Sequence, residues 1–566
     1  MGNERWDCIV VGSGLGGLAC AAYLAAAGRR TLVLESHYVA GGNSQVFRRR
    51  VAQHDFEFDV GIHYIGECGP EGKITRILRG VGIADRVRFR ELDPDGYTTL
   101  VFPDFTFRIP TGWERYRERL LATFPAEASA LAAVLDIMQE VAAGAGRLRA
   151  GEIDELTLFA ECPAFLAWGL RPVTELFAHH GLSLRASAVL LGESGDYGVR
   201  PSKTPVVLQS GLTDHYMRGA FYPEGGGQVL AARLVEAIEA YGGEVRTQAP
   251  VQRIRCDAAG RVAGVTVGGK PGRPTAEIDA PVVVSNADLK RTCLELVGRE
   301  RWSKETLERV ERFRMSLPLF CCYLVLDADR VTGQPNTNYF LWGSHDIESI
   351  YAELEDGRLP DADFAYVTVA SRKDPTNTRM APAGWTNLQI MTLAPREYAL
   401  WHATEGPATA GNAYHRDRGY RDAKAVLMER LIHAAERVLP GIGSEIYWKE
   451  AASPLTQERF TRSTGGTSYG IEFAIDQMGP MRLGPQTEIE GLFLTGASTP
   501  SGHGIGSVLR GGVATAGAVL GRNLLAAAWK GEVMGDPSRL PAADRLEDAW
   551  QACRGRARRG LAAERL

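Results

Sequence analysis

The sequence is short of net charge and of paired cysteines. Its 64 lysine and arginine residues nearly balance its 68 aspartate and glutamate residues, which leaves a formal net charge of -4 over 566 residues. Nothing in that balance indicates a nucleic acid as a partner. Nine cysteines are scattered along the chain, and none of them forms a C-x-x-C pair. An odd number of cysteines in a long chain predicts a reduced, cytoplasmic protein instead of a disulfide-bonded one.

Long apolar runs, internal repeats and low-complexity tracts are also missing. A bilayer-spanning helix needs about 20 mainly apolar residues. We find no run of about 18, so the sequence predicts no transmembrane helix and leaves only peripheral membrane contact open. The first apolar strand begins at Cys8, which predicts that there is no signal peptide. His179-His180 have no partner at metal-ligand spacing, so we expect no metal site.

Near its start the chain carries a glycine-rich turn between an apolar strand and an alanine-rich helix. The strand is Cys8–Val11, and Gly12-x-Gly14-x-x-Gly17 follows it. In a dinucleotide-binding turn the first glycine permits a tight bend and the second lets the backbone approach a pyrophosphate. The third lets the helix pack closely on the sheet. The helix N-terminus adds free N–H groups and partial positive charge for phosphates.

An acidic residue completes this motif. A second apolar run, Thr31–Leu34, ends in Glu35, which lies 23 residues after Gly12. At that distance an acidic side chain accepts a hydrogen bond from a ribose hydroxyl. A purely structural glycine turn would explain the glycines, but not the strand, helix and acid around them. The sequence therefore predicts a dinucleotide site.

Two more glycine-rich segments have the features of cofactor loops. Gly41-Gly42 follows the acidic residue, and glycine lets the backbone lie against a bound molecule. Farther along, the strand Leu492–Thr495 leads through a loop to a predicted helix at Val508–Leu525 that is rich in glycine and alanine. The N-terminus of that helix can hold another partial negative charge. The alternative is a helix that merely packs tightly.

Two excursions of different composition lie between these segments. Thr111–Glu114 has the spacing of a capping box, and from there to about residue 180 alanine and leucine recur at helical spacing. We expect these apolar faces to form core instead of a binding site. The second excursion, residues 296–475, contains an amphipathic helix at 418–438 and predicted strands at Leu317–Leu326, Ala365–Ser371 and Asn387–Thr392.

These segments resemble the amine-oxidase and phytoene-desaturase superfamily of FAD enzymes. The resemblance rests on the glycine turn with Glu35, on Gly41-Gly42 with Ser44, and on Asp59-x-Gly61. Many members have arginine after the glycine pair, where this chain has Asn43, so one flavin or pyrophosphate contact differs. In that superfamily the C-terminal helix begins at the pyrimidine edge of the flavin and favours its anionic reduced form.

The closer resemblance is to retinol saturases and their bacterial relatives, beside carotenoid isomerases and phytoene desaturases. It rests on seven motifs that spread along most of the chain: Phe58–Gly66, Asp196–Gly198 with Pro201, Asp214–Met217, Gly219–Pro223, Ser453–Thr456, Gly466–Gly470 and Leu494–Gly496. It implies an α/β fold, in which an FAD-binding Rossmann-like domain of the glutathione-reductase type is interleaved with an α+β substrate domain. It also implies FAD and a lipophilic substrate with conjugated double bonds. No cysteine or histidine stands at a position that we can assign as an attachment point, so we expect FAD to bind without a covalent link. No second glycine motif indicates a built-in NAD(P)H domain, so the electron donor stays open.

The FAD-binding domain implied by this resemblance comes from three parts of the chain. They are residues 1–110, 221–295 and 476–530, with a helical insert of the substrate domain at 111–220 and its sheet and helices at 296–475. Residues 531–566 form a tail that contains Arg554, Arg556, Arg558 and Arg559. We expect this tail to lie on an anionic membrane surface or to be disordered in solvent.

The expected cofactor-binding residues share glycine-rich loops and strand ends. They are Gly12, Ser13, Gly14, Leu15, Gly16, Gly17, Glu35, Ser36, Gly41, Gly42, Asn43, Ser44, Gly61, Ile62, His63, Val251, Asn286, Gly496, Ala497, Gly504, Gly506, Ser507 and Val508. For catalysis we expect His63, Tyr64, Tyr469 and His503. Histidine needs little tuning to act as an acid or base at neutral pH, and tyrosine can donate a hydrogen bond or line the substrate site. The alternative for each histidine is a packed loop residue.

Three functions are open at this point. The first is an FAD enzyme that saturates a double bond of a lipophilic polyene by hydride exchange with the flavin. The second is a carotenoid isomerase or desaturase, and desaturation is the first reaction run in the opposite direction. The third is a lipid-binding escort protein of the GDP-dissociation-inhibitor kind, which has this fold without using flavin. The intact glycine turn, Glu35 and Gly496–Ser507 argue against the third.

Overall fold

A five-stranded parallel sheet forms the centre of the cofactor-binding domain. The computed structural model that shows it describes residues 4–268, 275–361 and 363–555. The side chains of Ile9 and Val10 are 0% exposed, as expected for apolar strands covered on both faces. The predicted α/β fold is therefore confirmed. The strand order is Glu244–Arg246, Thr31–Leu34, Cys8–Val11, Val282–Ser285 and Leu492–Leu494.

Successive side chains of this sheet pack into two different cores, because strand residues point alternately to opposite faces. Val10 and Val33 pack with three helices on one face: Leu15–Ala26, Gln228–Ala240 and Ile505–Leu520. Ile9 and Val11 pack on the other face against a second sheet. Its strand order is Glu4–Arg5, Ala276–Asp279, Val262–Val267 and Val251–Cys256.

A seven-stranded sheet forms the centre of the substrate domain. Phe320 and Leu324 pack with Leu427 of the helix Arg418–Ala435, whereas Cys321 and Tyr323 belong to the opposite face. The strand order is Trp448–Ala452, Leu319–Asp327, Trp385–Leu393, Phe364–Thr368, Asn338–Trp342, Thr98–Val101 and Thr106–Ile109.

The last two strands of this sheet, Thr98–Val101 and Thr106–Ile109, come from residues 1–110, which we expected to belong to the FAD-binding domain. Thr98–Val101 pairs in parallel with Asn338–Trp342, and Thr106–Ile109 pairs with Thr98–Val101. Only long-range pairing decides such an assignment, and the local sequence of the hairpin contains no trace of it. The hairpin therefore belongs to the substrate sheet.

Shorter elements connect the two large sheets. A hairpin joins Val46–Val51 to His54–Asp59, and a three-stranded sheet has the order Ile65–Gly66, Ala220–Pro223 and Phe89–Glu91. The remaining helices outside the 111–220 insert are Lys73–Arg79, Leu289–Arg291 with a π-helical continuation at Thr292–Gly298, Lys304–Arg312, Ile347–Glu355, Ala370–Lys373, Pro407–Ala410, Pro454–Thr461, Leu524–Trp529 and Ala549–Ala552.

The insert between residues 111 and 220 is helical, as the spacing of its apolar residues predicts. Its first helix begins after Gly112, and no side chain caps it. The predicted capping box is therefore wrong: Thr111 Oγ1 instead accepts a hydrogen bond of 2.6 Å from Arg115. The helices of the insert are Trp113–Thr123, Ala128–Ala150, Glu155–Glu161, Pro163–Trp168, Val173–His179, Leu184–Leu190 and Val206–Met217.

One helical stretch of the insert bears on our expectation about membrane spans. Pro125–Ala150 is long enough to cross a bilayer, and its most apolar 18-residue window has a mean hydropathy of 1.3. About 44% of that window is buried inside the protein. Its buried side chains, among them Leu131, Leu135 and Met138, belong to the main core. A core helix of a soluble protein passes the same test of length and composition, so this is weak evidence for a span.

Residues 531–555 are folded against the cofactor-binding domain. Arg48 forms an ion pair of 2.7 Å with Asp548, and the backbone N–H of Ala40 donates to the carbonyl of Cys553 at 2.8 Å. Thr247 Oγ1 donates to the carbonyl of Arg554 at 2.7 Å. This part of the predicted tail is ordered by these contacts, and Arg556, Arg558 and Arg559 lie outside the described residues.

Candidate active site

A cavity of about 1120 Å³ lies between the two domains. The C-terminal ends of the parallel strands contribute Val11, Leu34 and Leu494 to its wall, and the seven-stranded sheet contributes Tyr323 and Tyr366. In open parallel sheets, ligands bind at the carboxyl ends of the strands. The parallel sheet and the substrate sheet therefore share one binding space.

The glycine turn at this cavity is sterically obligatory. Gly12 has a φ of +92°, which side chains other than glycine rarely tolerate. A Cβ on Gly17 would lie 2.4 Å from the carbonyl oxygen of Gly12, and a Cβ on Gly14 would lie 2.9 Å from Nδ2 of Asn286. These close approaches hold the start of the helix Leu15–Ala26 against the sheet, with no side-chain cap on its first turn. Its first N–H groups are thus available to an anion.

Glu35 fixes the geometry of this turn. Its Oε2 accepts hydrogen bonds from the backbone N–H of Ser13 at 2.9 Å and from Ser13 Oγ at 2.6 Å. Its Oε1 accepts from the N–H of His37 at 2.7 Å and from Ser36 Oγ at 3.2 Å. The carboxylate lines the cavity, and each oxygen can accept in more than one direction. Glu35 can therefore hold the turn and a ribose hydroxyl together.

The loop after Glu35 joins the two domains. Gly41 and Gly42 have φ values of +136° and +58°, and a Cβ on Gly42 would lie 2.9 Å from Cα of Gly14. Asn43 Nδ2 donates to the carbonyl of Ser468 at 3.3 Å, and Gln457 Nε2 donates to Asn43 Oδ1 at 2.6 Å. Asn43, which stands where many superfamily members have arginine, thus binds the cofactor loop to the substrate domain.

The C-terminal cofactor segment presents a second helix N-terminus to the cavity. The helix Ile505–Leu520 follows Gly504, whose φ is +88°, and no side chain caps it. A Cβ on Gly506 would meet only ordinary contacts at 3.8 Å, from His215 and Ile74. A small side chain would fit there, and a large one would displace its neighbours. The N–H groups of this helix can stabilise a negative charge.

The residues at the cavity fit an FAD. All the expected cofactor-binding residues line the cavity except Gly17. Gly17 instead allows the helix to pack closely against the glycine turn. Among the described residues, Nδ1 of His63, Nδ1 of His503 and Oγ1 of Thr495 are buried and have no protein hydrogen-bond partner, as expected for atoms that face a polar ligand. Glu35 would hold the ribose, the helix after Gly14 the pyrophosphate and the helix after Gly504 the flavin ring.

The four expected catalytic residues also line this cavity. Burial, with a smaller effect of Lys373, lowers the pKa of His63 to about 3. Burial and the charge of Arg482 lower the pKa of His503 to about 3 as well. Both imidazoles are therefore neutral at pH 7, and their expected role as an acid or a base stays a prediction.

Tyr469 connects the C-terminal segment to the helical insert. Its hydroxyl donates to the carbonyl of Gly195 at 2.9 Å, and its ring centroid lies 5.0 Å from that of His503. Gly198 makes room for this ring, since a Cβ there would lie 3.2 Å from it. The hydroxyl hydrogen of Tyr469 is thus committed to the backbone.

Tyr64 is the expected catalytic residue with acidic partners. Its Oη lies 2.6 Å from Oδ2 of Asp196 and 3.2 Å from Oε1 of Glu193. Its ring stacks on that of Tyr216, with centroids 4.3 Å apart and planes at 7°. Asp196 and Tyr216 also line the cavity.

Sequence analysis missed the acidic partners of Tyr64. Asp196 and Tyr216 lie inside two motifs of the resemblance, Asp196–Gly198 and Asp214–Met217, but neither motif indicates a role. Glu193 lies outside all the motifs. These residues lie far from Tyr64 in the sequence, so no local pattern indicates that they contact it. The two motifs were the one signal in the sequence that could have led to them.

Comparison with known proteins identifies the family. The family "Flavin containing amine oxidoreductase" matches residues 15–292. All-trans-retinol 13,14-reductase of Homo sapiens is 30% identical over 550 residues, which cover 92% of this chain and 86% of that protein. The chain belongs to the all-trans-retinol 13,14-reductase family. The recognition made from the sequence is confirmed, and this family member is an FAD-dependent oxidoreductase.

More distant relatives agree with this family and fold. Chloroplastic prolycopene isomerase of Arabidopsis thaliana is 26% identical over 546 residues, which cover 90% of this chain and 82% of that protein. A solved oxidoreductase from Methanosarcina mazei superposes with a TM-score of 0.57 at 15% identity and covers 91% of this chain and 100% of its own. A putrescine oxidase variant gives a TM-score of 0.59 at 15% identity and covers 92% and 100%. These two structures support the fold alone.

Proposed function

We propose that this protein saturates a carbon–carbon double bond of a lipophilic polyene. The observation that carries the proposal is the shared cavity, in which nucleotide-binding segments and an aromatic compartment with Tyr64, Tyr216, Tyr323 and Tyr366 line one space. The similarity to a reductase of all-trans-retinol and to prolycopene isomerases supports a polyene as the substrate. Bound FAD, when reduced, supplies a hydride to an unsaturated carbon.

The chain itself must supply a proton and exclude water. In this proposal Tyr64 donates the proton to the neighbouring carbon, because Tyr64 lines the cavity and its hydroxyl bonds at 2.6 Å to Asp196, which lines it as well. His63 and His503, neutral in their buried sites, orient the substrate and the cofactor. The apolar wall holds the polyene, as hydrophobic ligands require. A positioned acid contributes about 10²–10⁴-fold to a rate.

Anaerobic turnover tests this function directly. Pre-reduced, FAD-loaded enzyme is offered a panel of retinoids and carotenoids, and products are assayed for saturation, isomerisation and desaturation. We expect reoxidation of the flavin in step with the loss of one double bond. Tyr64→Phe should slow this step by about 10²–10⁴-fold with unchanged FAD binding. If the products are only geometric isomers and the flavin is not oxidised, the protein is an isomerase and not a saturase. The similarity to prolycopene isomerase supports that alternative.

We also propose that the substrate enters from a membrane surface at the helical insert. Leu156 and Leu166 are 80% and 66% exposed. Their neighbours Leu158, Phe159 and Phe165 line the cavity, which supports an apolar path from this surface to the site. A single exposed apolar residue needs no explanation, whereas a cluster beside a cavity for a lipophilic ligand does.

Vesicle binding tests the entry surface. The double variant Leu156→Ser with Leu166→Ser should cosediment less with phosphatidylcholine vesicles than the unchanged protein does. Val426→Ser is the matched control, because Val426 is 69% exposed on the helix Arg418–Ala435 of the substrate sheet. Equal loss of binding in both variants, or in neither, contradicts the proposed entry surface.

A further inference from the structure

Two carboxyl groups meet one tyrosine hydroxyl at the cavity wall. Glu193 precedes the short helical turn Ser194–Asp196 and Asp196 ends it, so a spacing of three residues directs both side chains to Tyr64. Asp196 and Tyr64 line the cavity, whereas Glu193 lies behind them and is only 6% exposed. The three groups form a row from the interior to the cavity.

The hydrogen atoms of this row can be counted. Tyr64 Oη lies 2.6 Å from Asp196 Oδ2 and 3.2 Å from Glu193 Oε1, but it has one hydrogen to donate. Tyr216 donates to the same Oδ2 at 3.1 Å, and Tyr97 donates to Glu193 Oε2 at 3.0 Å. One of the two contacts of Tyr64 therefore requires a hydrogen from a carboxylic acid. The 2.6 Å contact to Asp196 has the length of a hydrogen bond to an anionic oxygen, whereas the 3.2 Å contact to Glu193 does not, so Asp196 is the anion and Glu193 carries the hydrogen.

The surroundings agree with this assignment. Burial, together with the charge of Asp196, raises the pKa of Glu193 to about 8. Burial raises the pKa of Asp196 to about 6, against the hydrogen bonds from Tyr64 and Tyr216. The titratable groups that face the pair are the phenols Tyr64, Tyr97, Tyr116, Tyr197, Tyr216, Tyr351, Tyr366 and Tyr469, with Lys373 and His215 on the side of Asp196. The charge of Lys373 lowers the pKa of Asp196, which favours Asp196 as the charged member.

We propose that Glu193 is an internal proton reservoir that reloads Tyr64 during saturation of the polyene. The inference rests on the proposed function. The O–H bond of Tyr64 breaks as a C–H bond forms on the substrate, and the O–H bond of Glu193 breaks as that of Tyr64 re-forms. Glu193 is left as a carboxylate and takes one proton from solvent before the next turnover. The electron pair and the other hydrogen are those of the proposed reduction.

Glu193 acts through Tyr64, so it is a positioning residue, and its tests need readouts that a packing role would not change. Infrared spectra of FAD-loaded enzyme without polyene should show the carbonyl stretch of a protonated carboxylic acid at pH 7. That band should disappear above the pKa of about 8 of Glu193 and be absent in Glu193→Gln at every pH. In Asp196→Asn, which removes a charge that raises this pKa, the band should remain and disappear at a lower pH. A missing band in the wild-type protein, or a band that remains unchanged in Glu193→Gln, overturns the assignment of the hydrogen to Glu193.

Single-turnover rates test the transfer itself. The wild-type rate should fall as the pH rises above the pKa of about 8 of Glu193, and we call this fall the alkaline limb. Glu193→Gln should lack the alkaline limb. It should also slow turnover by about 10²-fold, with unchanged FAD affinity. Tyr97→Phe removes a donor to the Glu193 carboxylate, so it should move the limb to higher pH without abolishing it. Identical pH profiles in all three proteins would refute the reservoir. An infrared band without reduction of any polyene would instead refute the proposed function and leave the protonated Glu193 in place.

Discussion

The contacts of Glu35 lead to a prediction about FAD affinity and apoprotein stability together. Glu35→Ala removes the acceptor that we assign to the ribose, and a hydrogen bond to a charged group contributes about 1.5–3 kcal/mol. Because each 1.4 kcal/mol is tenfold in affinity, FAD should bind about 10–100-fold more weakly. The variant also removes Oε2, the acceptor of both the backbone N–H and the hydroxyl of Ser13, a residue that is 0% exposed. A buried donor left without a partner costs about 1–3 kcal/mol of unfolding free energy.

Two measurements separate these effects. Quenching of flavin fluorescence on titration into apoprotein gives the FAD dissociation constant, and urea unfolding of the apoprotein gives its stability. Glu35→Gln keeps one acceptor oxygen and loses the charge, so both values should fall between those of the wild type and Glu35→Ala. Ser36→Ala is the control for stability, because it keeps the Glu35 carboxylate with its bonds to Ser13 and loses only a contact of 3.2 Å. Wild-type FAD affinity in a folded Glu35→Ala variant would refute the ribose assignment.

Three further predictions follow from the cavity wall. Gly506→Leu should lower the flavin midpoint potential by about 6–20 mV, which corresponds to losing a helix-terminus interaction of about 0.3–1 kcal/mol. Gly506→Ala, for which the structure has room, is its control, and an equal potential in both folded variants counts against the helix assignment. Tyr469→Phe loses only the bond to the backbone at 2.9 Å, so it should slow polyene turnover much less than Tyr64→Phe; the reverse order would exchange their roles. For His63, whose pKa is about 3 in the folded chain and near 6.5 when unfolded, the unfolded state binds more protons between these values. Acidification from pH 7 to 5 should therefore destabilise the wild type more than His63→Gln. In urea unfolding the difference should be up to about 1.4 kcal/mol per pH unit. If the unfolding free energies of the two proteins have equal slopes against pH, the imidazole is not buried in its neutral form.

Local pattern was sufficient for the cofactor half of the site. The apolar runs Cys8–Val11 and Thr31–Leu34, the glycines after the first and the acid after the second each have a local cause in backbone geometry, so they could be predicted. The alanine-rich run predicts a helix from Leu18 to about Ala27, but the helix begins three residues earlier, at Leu15, because glycines at its first turn hide the boundary. Parallel pairing itself follows from the apolar character of both strand faces.

Tertiary contacts decided the rest. We expected the hairpin that starts at Thr98 in the FAD-binding domain, but it pairs in the substrate sheet. Its partner strand, Asn338–Trp342, lies more than 200 residues farther along the chain, so the local sequence could not reveal the pairing. Glu193 and Tyr64 meet only when the helical insert folds onto the cofactor loop. The pKa of His63 depends on burial, which its glycine-bounded loop does not reveal. Chemistry that depends on neighbours in space instead of neighbours in sequence could not be predicted from one chain.

The parallel sheet also has a consequence for biosynthesis. Its central strand Cys8–Val11 is translated more than 480 residues before the edge strand Leu492–Leu494. At about 5–20 residues per second, the interval is roughly 25–100 s. During that time the apolar strands lack their final neighbour, and such non-local pairing is slow in itself. FAD can stabilise only the completed sheet, so flavin supply and chaperone capacity should govern the yield of active protein more than its final stability does.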